Sequence, residues 1–160
     1  MCNLINLCSE LEGKQLIFGS PKNRVLHGKK YEECIKSATD DFYCIAEFGK
    51  KNNICFCIEP LGNDETEFIK SLKEGGDLVK KINHPFLKLH LDTKAMFSTK
   101  ENPIEITEKY KSYLQHVHVG DQDLLEPGTI NKEHHKIGSA LRNINYSKYV
   151  SIEMKKSEKD

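Results

Sequence analysis

The chain has 160 residues, enough to bury one core, and its 30% charged and 38% hydrophobic content is globular rather than disordered. Its 24 basic side chains balance 24 acidic ones, so it lacks the basic excess of a nucleic-acid binder, and no apolar run approaches the roughly 18 residues of a membrane span. The N-terminal MCNLINLCSELEGK has no basic stretch leading into an apolar one, and Cys2, Cys8, Cys34, Cys44, Cys55 and Cys57 form no CxxC pair. A cytoplasmic protein with reduced thiols is expected, with neither nucleic acid nor membrane as partner.

In chain order, residues 3–11 read as a helix with Leu4, Leu7, Cys8 and Leu11 on one face, followed by a strand at 15–19 (QLIFG). A helix over 31–48 carries Cys34, Ile35, Ala38, Phe42, Ile45 and Ala46 near a 3.6-residue period, and a strand follows at 54–59 (ICFCIE). A helix over 65–82 should bend at Gly75–Gly76, and the next strand is Leu87–Asp92 (LKLHLD). Pro103 suits the first position of a helix through residue 114, ahead of a strand at 116–120 (HVHVG). A last helix at 131–141 precedes a strand at 149–154 (YVSIEM) and a charged tail at 155–160.

Strand–helix alternation of this kind builds a parallel α/β sheet. The strand starts at 15, 54, 87, 116 and 149 are spaced close to the roughly 31 residues per unit of a (β/α)₈ barrel. Five units fall three short of a closed barrel, so a single incomplete barrel domain over 1–160, cut at both ends, is expected. A doubly wound sheet would be complete with five strands, but its phosphate-binding glycine turn is absent: the first strand ends in Gly19-Ser20-Pro21.

Four strands end on a residue able to hold a metal: Glu59, Asp92, His118 and Glu153. In a β/α barrel the C-terminal strand ends open onto one face, so residues distant in sequence converge there. Three carboxylates and an imidazole suit a divalent cation, Mn²⁺, Mg²⁺ or Co²⁺, with Zn²⁺ acceptable. Taken singly, a strand-end acid is more often a helix cap and a strand histidine a core residue. Four consecutive strands ending this way argue for a shared ligand, because a buried unpaired carboxylate is costly. His90 shares a strand face with Asp92 and reads equally as core or as support for the site. Cys55 and Cys57 should face the barrel interior as filler.

The blocks ICFCIEPLG, NHPFLKLHLDTKAM, HVHVGDQDLLEPG and YVSIEM, with LCSELEGKQLIFGSPKNR before them, resemble in order and spacing the sugar phosphate isomerase/epimerase family of xylose isomerase-like barrels. The resemblance implies strands four to eight of a barrel. It implies Glu59, Asp92, His118 and Glu153 as the ligands of one divalent metal, with His116 in contact with the substrate or supporting the site. The implied reaction is isomerisation or epimerisation of a small sugar through an enediolate, with Glu59 and Glu153 as catalytic base and acid. Glu65 has the spacing of the family's substrate-contacting glutamate. Ala95 and Leu124 stand where ketose 3-epimerases of the family carry a substrate-binding histidine and arginine, which leaves the sugar open.

Two other functions compete. An endonuclease IV-like abasic-site nuclease would need a histidine-rich multinuclear zinc site and a basic groove. An inactive or partner-dependent barrel fragment would keep the ligands without completing a pocket. A partial barrel would also bare the strands at 15–19 and 149–154 as edges, and uncover Cys55, Cys57 and Phe18 or Leu16, so self-association is expected.

Overall fold

The computed structural model describes residues 1–156; the last four residues of the expected charged tail lie outside them. In chain order the elements are α1 (Cys2–Glu10), β1 (Gln15–Phe18), α2 (Tyr31–Asn52), β2 (Cys55–Ile58), α3 (Leu72–Ile82), β3 (Leu87–Asp92), α4 (Thr93–Thr99), α5 (Pro103–Tyr110), β4 (Leu114–Val119), α6 (His134–Asn143) and β5 (Val150–Ile152). The strands form one parallel sheet in the order β1-β2-β3-β4-β5. Each strand pairs with its successor, as in a barrel wall; the strand order of a doubly wound sheet would reverse. None of the helices described is long and apolar enough to cross a membrane.

Strand alternation splits the side chains between two environments. Phe56 and Ile58 of β2, Leu87, Leu89 and Leu91 of β3, and Leu114 and Val117 of β4 enter a core with Phe42, Ala46, Leu78, Val79 and Ile137 from the helices. Phe18 joins this helix-side core, its ring 5.9 Å from Phe42 and 5.7 Å from Phe56, and Leu16 packs there too. Neither therefore belongs to the barrel interior, where sequence had put one of them. Cys55 and Cys57 take the opposite face, their sulfurs 3.9 Å apart and unbonded.

The helix expected over 65–82 begins only at Leu72. Ser71 caps it, its hydroxyl accepting the Glu74 N–H, and the Glu101 carboxylate accepts the N–H groups of Leu72 and Lys73. Upstream, Ile69 adopts a φ of 60°, which ends any helical run. Gly75 and Gly76 do not bend α3; they let it be approached closely. A β-carbon on Gly76 would sit 2.6 Å from the ring of Tyr110, whose hydroxyl donates to Asp77 from α5. Helix α4 was not expected. It starts directly from β3, with the Asp92 carboxylate accepting the Ala95 N–H as its cap.

The two edges of the sheet carry exposed apolar surface. In α1 Ile5 is buried, whereas Leu4 and Leu7, with Leu11 just after the helix, are 49%, 50% and 73% exposed, so the leucines of this apolar face point outward. In β5 Val150 and Ile152 are 50% and 69% exposed.

After β4, Asp121 is fully buried and gathers the loop to residue 131, accepting the N–H groups of Gln122, Ile130 and Asn131 and the Asn131 amide. Burial opposes its ionisation, but these donors hold its carboxyl down to about 2. Because the folded value lies below the ordinary one, this stabilisation is complete above about pH 4 and is lost as pH falls toward 2. Asp121→Asn should therefore be less stable than wild type in urea at pH 6, with the gap closing as pH is lowered. Gly76→Ala should lower stability by about 1–2 kcal/mol in urea unfolding, since overpacking against Tyr110 outweighs the gain in helix propensity.

Candidate metal centre

The site depends on an irregularity in β4. Leu89 pairs with Leu114, but the next residue of β3, His90, pairs with His116, so Gln115 is an extra residue on β4. Leu114 thus stays in the helix-side core while His116 and His118 turn to the face of His90 and Asp92. Lys148 holds this bulge, its ammonium donating to the Leu114 carbonyl and to Gln115 Oε1. At the C-terminal ends of β3 and β4, the Thr93 hydroxyl donates to the Gly120 carbonyl and accepts its N–H, which fixes Asp92 beside His118.

Glu59 follows β2, and its N–H donates to the Phe18 carbonyl. The buried Arg24 ties this corner: its two Nη groups donate to the carbonyls of Glu59 and Phe18, each at 2.5 Å. The Glu59 carboxylate then occupies space that only glycine leaves free just after β1, since a β-carbon on Gly19 would lie 1.7 Å from Oε2. One donor atom from each of Glu59, His90, Asp92 and His118 lies within 4.8 Å of the other three. Glu153 joins through His118, whose Nδ1 is 3.4 Å from Glu153 Oε2 and 3.5 Å from Glu59 Oε1.

These groups perturb one another strongly. Burial works against the Glu59 carboxylate, but the imidazoles of His118 and His90 hold it down to about 2. Asp92 goes the other way: burial, with the charges of Glu59 and Glu153, pushes it up to about 6 despite its bond from Ala95. Burial lowers His90 and, with help from its histidine neighbours, takes His116 down to about 4. His118 is raised: burial opposes this, but the Glu59 carboxylate overcomes it. Asp92 Oδ2, His118 Nδ1 and both ring nitrogens of His90 are buried without a hydrogen-bond partner. The Asp92 oxygen and one nitrogen from each of His90 and His118, converging at short range with lone pairs that have no partner, fit a divalent cation, which would take them together.

The residues singled out from sequence are distributed as follows. Glu59, Asp92 and His118 share the tight group, and Glu153 stands at its more exposed edge. His116 lies behind, its ring stacked on His90 at 5.3 Å and its Nε2 3.1 Å from Ser151 Oγ. Glu65 forms an ion pair at 2.7 Å with Lys94 at the edge of a cavity of about 370 Å³, which Leu61, Ser98, Leu124 and Lys155 also line. Ala95 is buried in the cap of α4, so it presents nothing to that cavity. Sequence reasoning left His90 undecided, although its two-residue offset from Asp92 already placed it on the same face. It missed Lys94 and Gly19, whose signals were the residue beside Ala95 and the glycine ending the first strand. A larger cavity of about 760 Å³ lies against α2, lined by Phe18, Leu26, Cys34 and Phe42 among others, away from these groups.

Comparison with known proteins gives the geometry its context. Residues 1–160 match the family model of xylose isomerase-like TIM barrels. D-psicose 3-epimerase of Ruminiclostridium cellulolyticum is 31% identical over 109 residues, covering 68% of this chain and 37% of that protein. The D-psicose 3-epimerase of Agrobacterium fabrum is 32% identical, with 68% and 38% covered. Among solved structures, an L-ribulose 3-epimerase superposes with a TM-score of 0.85 at 20% identity, covering 98% of this chain and 53% of that one. The chain thus spans little more than a third of the curated relatives it matches, and its five-stranded sheet corresponds to part of a barrel. It belongs, by a match along its whole length, to the xylose isomerase-like TIM barrel family.

Proposed function

We propose that this chain carries strands four to eight, as one domain, of a divalent-metal-dependent sugar isomerase or epimerase. The observation that carries this reading is the convergence of Glu59, His90, Asp92 and His118 at one end of the sheet, with Asp92 Oδ2 and ring nitrogens of both histidines buried without a hydrogen-bond partner. The likeness to two D-psicose 3-epimerases supports a ketose or its phosphate as substrate. A divalent cation held by Glu59, His90, Asp92 and His118, with Glu153 beside them, would supply Lewis-acid stabilisation of the negative charge that develops when a proton leaves the carbon beside a carbonyl.

The chain's own residues do the rest. Glu59, beside the imidazoles of His90 and His118, is the base of this reading. Glu153, just after β5, meets the same His118 nitrogen as Glu59, and in this reading it returns the proton on the other face of the planar intermediate. Glu65 and Lys94 offer a charged pair for sugar hydroxyls at the cavity edge, and His116, bonded to Ser151, supports the imidazoles in front of it or meets the substrate beyond them. Mn²⁺, Mg²⁺ and Co²⁺ all suit the carboxylates, and Zn²⁺ suits the imidazoles.

A second reading, a barrel fragment active only when its edges are covered, is favoured by the exposed Val150 and Ile152 on β5 and Leu4, Leu7 and Leu11 on α1. In sedimentation the isolated chain should associate as its concentration rises through the micromolar range; a monomer throughout would remove that reading. Saturating Mn²⁺ or Co²⁺ should raise the melting temperature by about 5 °C or more, and Glu153→Gln should shrink the rise. The decisive test is solvent deuterium entering ketoses at the carbon next to the carbonyl. Wild type with metal should catalyse it, and Glu59→Gln should slow it about 100-fold or more. No exchange with any ketohexose or ketopentose, at concentrations where the edges are covered, would exclude the proposed reaction.

A further inference from the structure

We propose that His90 is itself a metal-ligating residue, so that the centre has two imidazoles beside its carboxylates and favours Co²⁺ or Zn²⁺ over Mn²⁺ and Mg²⁺. This rests on reading the cluster as a metal centre, and adds to that reading a ligand drawn from the middle of a strand rather than from a strand end.

His90 lies between Leu89 and Leu91, which both point into the helix-side core, so its ring faces the site with Asp92 two residues on. It is wholly buried, and neither ring nitrogen has a hydrogen-bond partner. A purely structural residue here would be apolar, since burying two unsatisfied polar atoms costs stability and returns nothing. The ring is nevertheless held firmly. It stacks on His116 with an interplanar angle of 17° and meets His118 edge-on at 4.2 Å. Its Nε2 lies 3.4 Å from Glu59 Oε1, a separation that suits two ligands on one ion better than a hydrogen bond between them. Ligands trans across an ion at about 2.1 Å are about 4.2 Å apart, so a spread of 4.8 Å closes with shifts of a few tenths of an ångström. Imidazole nitrogen selects the later transition metals, whereas carboxylate and water suit Mn²⁺ and Mg²⁺.

Equilibrium titration of the full chain with Co²⁺ alone and Mn²⁺ alone tests this, for wild type, His90→Leu, His90→Gln and Asp92→Asn. The His90 variants should lose at least tenfold in Co²⁺ affinity and change Mn²⁺ affinity less than threefold, and the visible bands of bound Co²⁺ should shift with the loss of a nitrogen ligand. A His90 that only fills the core would leave Co²⁺ affinity and the bound-Co²⁺ spectrum unchanged in both variants, which overturns the proposal. If His90→Leu does not fold, His90→Gln is read by the same affinity and spectral criteria. Wild type that binds neither ion, or Asp92→Asn that binds both normally, would instead overturn the metal-centre reading itself.

Discussion

A β-strand must choose a face for every side chain, and the single extra residue at Gln115 makes that choice for the candidate centre. Without it, Leu114 and the two histidines of β4 would share one face, and either the core would lose a leucine or the site would lose His116 and His118. The bulge lets one short strand serve both layers. Lys148, anchored just before β5, holds the irregular backbone, so the last strand acts on the site before contributing Glu153 to it. Sheet register, more than any one contact, thus decides which ionisable groups meet.

The groups brought together are in electrostatic conflict with the sheet that holds them. Glu59 is kept charged by the imidazoles beside it, while Asp92 is driven toward neutrality by burial and by its fellow carboxylates. A protein evolving for stability alone would have little reason to keep such neighbours on a buried sheet face. Their cost is understandable if the arrangement is built for positive charge arriving from solution. The edges of the sheet show a similar imbalance, with apolar side chains on α1 and β5 facing outward.

Much of this was legible in the sequence because parallel strands leave a clear mark. LKLHLD is a strand over the very residues that its alternation marks, and the acids at the ends of the second and third apolar runs, Glu59 and Asp92, stand out because they break those runs; the structure brings them together. Less legible were features set by partners distant in sequence. The glycines of α3 looked like a helix break until Tyr110 is seen packed on them, and the start of α3 depends on Glu101. Helix α4 is too short for periodicity to reveal and rests on a cap from Asp92, a residue that sequence assigns wholly to the metal. His90 shows the same difficulty within the site, since an imidazole amid leucines reads as core until its nitrogens are found unpartnered.

Gly19 gives the residue just after β1 an influence on a candidate centre that takes no side chain from that strand. The space over that glycine is taken by a carboxylate oxygen, so even one added methyl group would compete with Glu59 for its place. Position 19 is therefore a steric veto on the centre, exercised through shape without altering any charge or donor atom. A substitution there would separate the worth of placing Glu59 correctly from the worth of its carboxylate, which changing Glu59 itself cannot do.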